Sequence, residues 1–224
     1  MSMKEPGATV HSPSQAGASA HDVTAFIQAG GESRRLGLAK ARLSLGSHLC
    51  IEYVVEAARR VTDQIIVIAN DPENFEFLQL PILPDLQPRC GPLGGLATAL
   101  THCPTSWALN LACDLPFVTE DLLKLLLTRA WSGCEAVVPR DAVDQPQPLC
   151  ALYSRTCLPV VSDLLRKGER SLRSLLLALT VSFIPFAEIC SLPGASYFFL
   201  DIDTPDDYRR AQQVIALRAG PRSP

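Results

Sequence analysis

The chain alternates short continuous apolar runs with segments whose apolar residues recur at helical spacing. The run VTAFIQ at 23–28 is β-rich and stops abruptly at Ala29-Gly30-Gly31, where a polar, basic loop begins. From 50 to 61, Ile51, Val54, Val55 and Ala58 recur at i, i+3, i+4 and i+7 with Glu52, Glu56, Arg59 and Arg60 between them, which predicts an amphipathic helix. The uninterrupted apolar run IIVIA at 65–69 ends at Asn70-Asp71-Pro72, a strong turn signal. Strand, helix and strand in quick succession form a βαβ unit, so the first two strands are expected to lie parallel in a buried sheet.

The alternation continues. A short third strand fits 81–83, and GPLGG at 91–95 opens a helix running to about 102. WALNLA at 107–112 reads as a fourth strand ending at Cys113-Asp114, after which Thr119-Glu120-Asp121 caps a Leu-rich helix to about 131, its acidic first turn favoured by the helix dipole. Further strands are predicted at 136–138, 149–153, 181–185 and 197–200, and helices at 156–167, 171–179 and 205–217. With no internal repeat, heptad run or splitting linker, a single three-layer α/β domain over residues 22–217 is expected. A disordered, Ser-, Ala-, Gly- and Pro-rich leader would occupy 1–21 and a flexible tail 218–224.

Composition narrows the class of function. The 224 residues carry 20 Lys+Arg against 23 Asp+Glu, a formal charge of −3, which argues against a nucleic-acid partner or an anionic membrane surface. Of the basic residues 16 are Arg and 4 are Lys; Arg suits bidentate phosphate or carboxylate contacts, but genome composition gives the same bias. The 8 Cys show no C-x-x-C spacing and the 4 His no paired zinc pattern, so buried free thiols are expected. Neither a signal-peptide core nor an apolar stretch long enough to span a bilayer is visible, and a soluble, cytoplasmic protein is predicted.

In open α/β sheets ligands bind beyond the carboxyl ends of the strands, which directs attention to three loops. The first, AGGESRRLGLAK at 29–40, is neither a Walker A loop nor G-x-G-x-x-G. Adjacent Gly30 and Gly31 nevertheless allow backbone N–H groups to cradle an anion, with Arg34, Arg35 and Lys40 supplying positive charge; a plain turn with solvated Arg and Lys is the alternative. Asp114 stands where the fourth apolar run ends. A lone carboxylate there suits Mg2+, which is usually held by one or two carboxylates plus substrate phosphates, although an Asp capping the turn before Pro116 has the same pattern. Loop and carboxylate together describe metal-assisted phosphoryl or nucleotidyl transfer.

Ala29-Gly30-Gly31-x-Ser33-x-Arg35-Leu36-Gly37 followed by Lys40 resembles the L-A-G-G-x-S-x-R-M-G-x-D-K signature of nucleotidyltransferases that activate small molecules. Gly91-Pro92-Leu93-Gly94-Gly95-Leu96 and Cys113-Asp114-Leu115-Pro116 are similar to motifs of one branch, the molybdenum cofactor guanylyltransferases. The series continues through Gln147-Pro148-Leu149, Gly168-x-Arg170-Ser171 and Asp201-Ile202-Asp203-Thr204-Pro205, covering about residues 23–215. The resemblance implies a Rossmann-like nucleotidyltransferase domain with a mostly parallel, mixed sheet. It would transfer GMP from GTP to the phosphate of molybdenum-loaded molybdopterin and release pyrophosphate. Matched by position, Gln28, Ala29, Gly30 and Gly31 would contact GTP, and Lys40 and Arg35 would neutralise its phosphates. Asn70 and Asp85 would fall near the base and ribose, and Asp114 would bind Mg2+. Gln147 and Arg170, the latter in a basic cluster with Arg166, Lys167 and Arg173, would meet the pterin. GTP and molybdopterin are the implied partners, with molybdoenzyme-maturation proteins beyond them.

Two departures stand out. Ala39 replaces the usual Asp before the lysine, and Asp201 and Asp203 stand where Asn is more common in this branch. Either Asp offers a second metal ligand; the alternative is turn and N-cap chemistry before the helix at Pro205. D-I-D-T-P also occurs in related cytidylyltransferases, so a cytidylyl or other small-molecule nucleotidyltransferase is one competing reading. A catalytically degenerate GTP-binding regulator, motivated by Ala39, is the other.

Overall fold

The computed structural model describes residues 18, 22–30, 40–131 and 133–218, with only the backbone of Lys40 and Arg218. In chain order its elements are β1 (Val23–Gln28), β2 (Ser44–Leu45), β3 (His48–Leu49), α1 (Cys50–Arg59), β4 (Ile65–Ile68), β5 (Ile82–Leu83) and α2 (Gly91–His102). Then follow β6 (Trp107–Ala112), α3 (Glu120–Thr128), β7 (Ala136–Pro139), β8 (Cys150–Ser154), α4 (Leu158–Arg166), α5 (Leu172–Leu176), β9 (Val181–Ile184), α6 (Phe186–Ile189) and α7 (Pro205–Arg218). Seven strands form one sheet in the order β5-β4-β1-β6-β8-β7-β9. β1 is parallel to both β4 and β6, with Gln28 opposite Ile68 and Ala112. The direction changes at β8, which is antiparallel to both β6 and β7, while the outer β9 is again parallel to β7. This is the mixed, mostly parallel α/β sheet expected from the alternating pattern.

The period-2 alternation of β1 sends its residues to two cores. Val23, Ala25 and Ile27 pack with Ile51, Val54 and Ala58 of α1 and Leu122, Leu123 and Leu126 of α3. Phe26 faces the other way, into Leu93, Leu96 and Leu100 of α2, Val161 of α4 and Leu175 of α5. Each of these large side chains is withdrawn from water, a gain of roughly 1.5–3 kcal/mol apiece. A smaller cluster of Leu45, Phe117, Ile202, Ala211 and Val214 holds α7 against β2 and the loop after β6.

Several local expectations change. The segment 197–200 is not a strand: Gly194 turns left-handed at φ 84, a 3-10 turn spans Ala195–Tyr197, and Leu200 N–H donates back to the Tyr197 carbonyl at 3.0 Å. Four consecutive apolar residues carry no period of their own, and here they turn to bury Phe198 completely. Thr119 occupies the N-cap of α3, but its hydroxyl makes no cap bond and is buried without a partner. The cap of α7 falls on Thr204 rather than Asp203: Thr204 N and Oγ1 both donate to Asp207 Oδ2, and Asp207 N–H donates to Thr204 Oγ1, a reciprocal capping box. Unanticipated from the pattern is the β2–β3 hairpin, too short to show alternation. Gly46 turns it at φ 63, and a Cβ there would meet Ile215 of α7 at 2.9 Å.

The expected leader, apart from Ala18, and the tail beyond Arg218 lie outside the described residues. Ala18 N–H donates to the Leu127 carbonyl at 3.0 Å. Among the described residues no helix is long and apolar enough to cross a membrane.

All eight cysteines are free thiols, and Cys150 and Cys157 are wholly buried. Burial pushes both up to about 12 from the ordinary thiol value of 9.0. The unfolded chain therefore ionises first. The folded state should keep its stability below pH 9 and lose it as pH rises towards 12, by about 1.4 kcal/mol per pH unit per thiol. Urea denaturation at pH 8 and pH 10 checks this; equal midpoints would contradict it.

Candidate active site

Parallel register brings the ends of four strands to one edge. Ala29 N–H donates to the Ile68 carbonyl at 2.8 Å, Ala69 N–H to Leu83 at 2.9 Å and Cys113 N–H to Gln28 at 3.2 Å. The loops after β1, β4, β5 and β6 thus begin side by side, which is why residues as distant in sequence as Gly30, Asn70, Asp85 and Asp114 open onto one edge.

Asn70 and Asp85 form a reciprocal pair. Asn70 Nδ2 donates to Asp85 Oδ2 at 3.0 Å, and Asp85 N–H donates to Asn70 Oδ1 at 3.0 Å. The pair lies over the backbone of Gly30, where an added Cβ would stand 3.4 Å from Asp85 Oδ2. A hydrogen-bonding shelf over a bare glycine leaves backbone approachable by a flat or anionic ligand.

Gln28 closes the floor beside it. Its Nε2 donates to Asn110 Oδ1 at 2.7 Å and to the Pro92 carbonyl at 3.3 Å. The amide lies so close to α2 that a Cβ on Gly95 would fall 2.4 Å from its Oε1, and one on Gly94 would fall 2.5 Å from Cys90 Cβ. At Gly94 and Gly95 any side chain would therefore force a neighbour to shift. Asn110 and Gly95 went unremarked as site residues in the sequence; the signal was a single amide inside the apolar run of β6, on the face shared with Gln28.

Across the edge, Asp141 Oδ2 accepts from Gln147 Nε2 at 2.8 Å, and Arg173 Nη2 donates to Gln145 Oε1 at 3.2 Å. The Arg170 carbonyl accepts the Leu93 N–H of α2 at 3.3 Å, and Gly91, at φ 62, leaves room for that approach. Glu169 clasps the Arg170 and Ser171 N–H groups, and those hydrogen bonds hold its carboxyl below the usual range. The basic cluster divides here. Arg166 and Lys167 both pair with Asp163, at 2.8 and 2.7 Å, on the solvated end of α4. The Arg170 guanidinium turns back to the Leu165 and Glu169 carbonyls at 3.4 and 2.8 Å, and Arg173, in the first turn of α5, is the member that reaches the 140–148 loop.

Asp114 is half-buried just beyond β6. Ile202, between Asp201 and Asp203, packs in one cluster with Phe117, so the closing motif runs beside the loop that carries Asp114. Among the described residues no group of three or more His, Cys, Asp or Glu could hold a metal ion. Gly31, Ser33, Arg34, Arg35 and Ala39 lie outside the described residues, as does the side chain of Lys40, whose backbone starts the 3-10 turn Lys40–Arg42. His102 is engaged with the Thr98 carbonyl at 3.0 Å and His48 packs edge-on against Tyr53, so neither is placed as a general base.

An edge of this kind, opening beyond parallel strands and offering polar pairs and bare backbone in place of a nucleophile, belongs to an enzyme that positions phosphorylated substrates, a nucleotidyltransferase. The chain matches the MobA-like NTP transferase domain over residues 25–182 and belongs to that family. It is 30% identical over 189 residues to a probable molybdenum cofactor guanylyltransferase of Pelotomaculum thermopropionicum, covering 84% of this chain and 91% of the relative. It is also 30% identical over 199 residues to the molybdenum cofactor guanylyltransferase of Desulfosudis oleivorans, covering 88% and 97%. Among solved structures it resembles molybdopterin-guanine dinucleotide biosynthesis protein A of Archaeoglobus fulgidus, with a TM-score of 0.74, 26% identity and coverage of 87% and 99%.

The floor of the site is tight enough to test. Gly95→Ala displaces the Gln28 amide and strands Asn110, at a cost of about 1–3 kcal/mol for an unpaired buried amide. Chemical denaturation should register that loss and a GTP titration a weaker affinity. A variant with wild-type stability and affinity would show that the close packing is dispensable.

Proposed function

We propose that this chain is a molybdenum cofactor guanylyltransferase: it transfers GMP from GTP to the terminal phosphate of molybdenum-loaded molybdopterin and releases pyrophosphate. The observation that carries the reading is the Asn70–Asp85 pair poised over Gly30, in a chain whose curated relatives bear that name along nearly their full length. Those relatives favour GTP over CTP and a working enzyme over a degenerate binder.

In this reading the nucleoside of GTP lies against Gln28, Ala29 and Gly30, with Asn70 and Asp85 directed at base and ribose. Gly31 and the N–H groups of its loop receive the phosphates, whose charge Arg35 and Lys40 offset. The molybdopterin phosphate approaches from the side of Gln147 and Arg170. One of its oxygens is already an anionic nucleophile, so no side chain has to remove a proton. It bonds to the α-phosphorus of GTP while the bond from that phosphorus to the bridging oxygen breaks and pyrophosphate leaves. What the chain supplies is in-line positioning and charge neutralisation.

Asp114 would hold Mg2+, with Asp201 or Asp203 as a second ligand. A sparse carboxylate set suits a hard cation that takes its remaining ligands from triphosphate and water, and the ion when bound neutralises charge on the phosphates. A cytoplasmic setting follows from the use of GTP, with molybdoenzyme-maturation proteins receiving the product.

Purified protein incubated with GTP, Mg2+ and molybdenum-loaded molybdopterin should form the guanine dinucleotide, detected by chromatography. Product from CTP but not from GTP would refute the assignment. Asp114→Ala should abolish nearly all turnover while leaving the fold intact. Lys40→Ala should lower kcat/KM at least tenfold, equivalent to about 1.4 kcal/mol; unchanged kinetics would remove Lys40 from the site.

A further inference from the structure

Among the described residues, Thr24, Thr62, Thr98 and Asn110 are wholly or almost wholly buried polar side chains. The first two serve the opposite end of the sheet, where Thr24 meets Gln64 and Thr105, and Thr62 donates to the Val23 carbonyl. Thr98 ties α2 to the loop before it through the Leu86 N–H. Asn110, 0% exposed, is different: its two ends reach opposite halves of the active-site edge. Oδ1 accepts from Gln28 Nε2 at 2.7 Å, and Nδ2 donates to the Pro148 carbonyl at 3.4 Å.

The directions of these bonds are determined by what surrounds them. Pro92 and Pro148 offer carbonyls that can only accept, so Gln28 turns its amino group to Pro92 and Asn110, and Asn110 turns its own to Pro148. Buried Tyr153 donates to the same Pro148 carbonyl at 2.9 Å. The result is a continuous chain from the first turn of α2, through Gln28 on the nucleotide side, to the residue following Gln147 on the acceptor side. Its members are two amides, two carbonyls and a phenol whose ionisation burial strongly opposes; the chain therefore holds positions and conducts no proton.

It also crosses the seam where parallel β6 meets antiparallel β8. There Asn110 lies opposite Ala151, and its side chain reaches past that register partner to the loop end. A loop shift on either side would leave one end of Asn110 unpaired inside an apolar core, a cost felt by both subsites. The first turn of α2 is joined to the acceptor side a second time, through Leu93 N–H and the Arg170 carbonyl.

We infer that Asn110 is a positioning residue that couples the nucleotide and acceptor subsites, so that filling one raises the affinity of the other. The inference rests on the reading that GTP lies by Gln28 to Gly30 and the phosphorylated pterin by Gln147.

The test is the dissociation constant of α,β-methylene GTP, which cannot be turned over, measured calorimetrically with and without saturating molybdopterin. Wild type should bind the nucleotide at least threefold tighter when molybdopterin is present. Asn110→Leu should bring that ratio to one and weaken binding of the nucleotide alone, by stranding Gln28. Gln28→Leu/Asn110→Leu removes both polar partners; it should recover the urea midpoint that the single variant loses, while the ratio stays at one. It also carries the test if the single variant does not fold. A folded variant that keeps the wild-type ratio, or a wild-type ratio of one, overturns the coupling. Absence of nucleotide binding by wild type would instead overturn the functional reading itself.

Discussion

Because β1 is hydrogen-bonded in parallel on both sides, Gln28, Ile68 and Ala112 finish side by side, and the chain must leave all three strands at one edge. A parallel ladder cannot be closed by a tight hairpin, so the returns run through α1 and α2 packed on the sheet faces and, between β4 and β5, through two short 3-10 turns. Gly30, the Asn70–Asp85 pair and Asp114 all owe their meeting to that register. A one-residue slip of β4 against β1 would turn its buried Val67 and Ile68 to the wrong faces, so burial of the strands and assembly of the site are enforced together.

The edge is kept narrow by contacts that tolerate little substitution. α2 approaches β1 closely enough that Gly95 touches the Gln28 amide, and its first turn abuts Arg170 through Gly91. Antiparallel β8 turns the second half of the sheet so that the 140–148 loop returns beside the same edge, where Ala112 N–H donates to the Leu149 carbonyl at 2.8 Å. The candidate site thus draws on both the parallel half of the sheet and the mixed half.

The near-neutral overall charge conceals a spatial sorting. Arg166 and Lys167, beside Arg170 in the chain, are engaged by Asp163 on an exposed helix end where such pairs contribute little. Arg170 instead lies in the loop tied to α2, and Arg173, in the first turn of α5, reaches Gln145. Neighbours in sequence are therefore divided among different partners, and only the course of the backbone between α4 and α5 separates them.

Much was legible in the residues alone. The apolar runs at 23–28, 65–69 and 107–112 and the helical spacing at 50–61 mark their elements because each is long enough to show its period. The run at 197–200 is not, and it became a turn because burying Phe198 outweighed any strand preference. The adjacent Gly30 and Gly31 after the first strand and the carboxylate at 114 were readable as candidate site features, since their chemistry is local. Asn110 was not, because an amide in an apolar strand gains its meaning only from Gln28, 82 positions away in sequence, and Pro148, 38 away. The same holds for the cap of α7, where Asp203 and Thr204 are both good N-cap residues and the reciprocal bonds to Asp207 select Thr204. By itself the sequence determined which segments are strands and helices and which residue types could serve a nucleotide, because periodicity and side-chain chemistry are properties of the local chain. Tertiary structure alone decided which polar groups share a hydrogen bond, because that depends on strand register and on how closely a helix can approach a sheet.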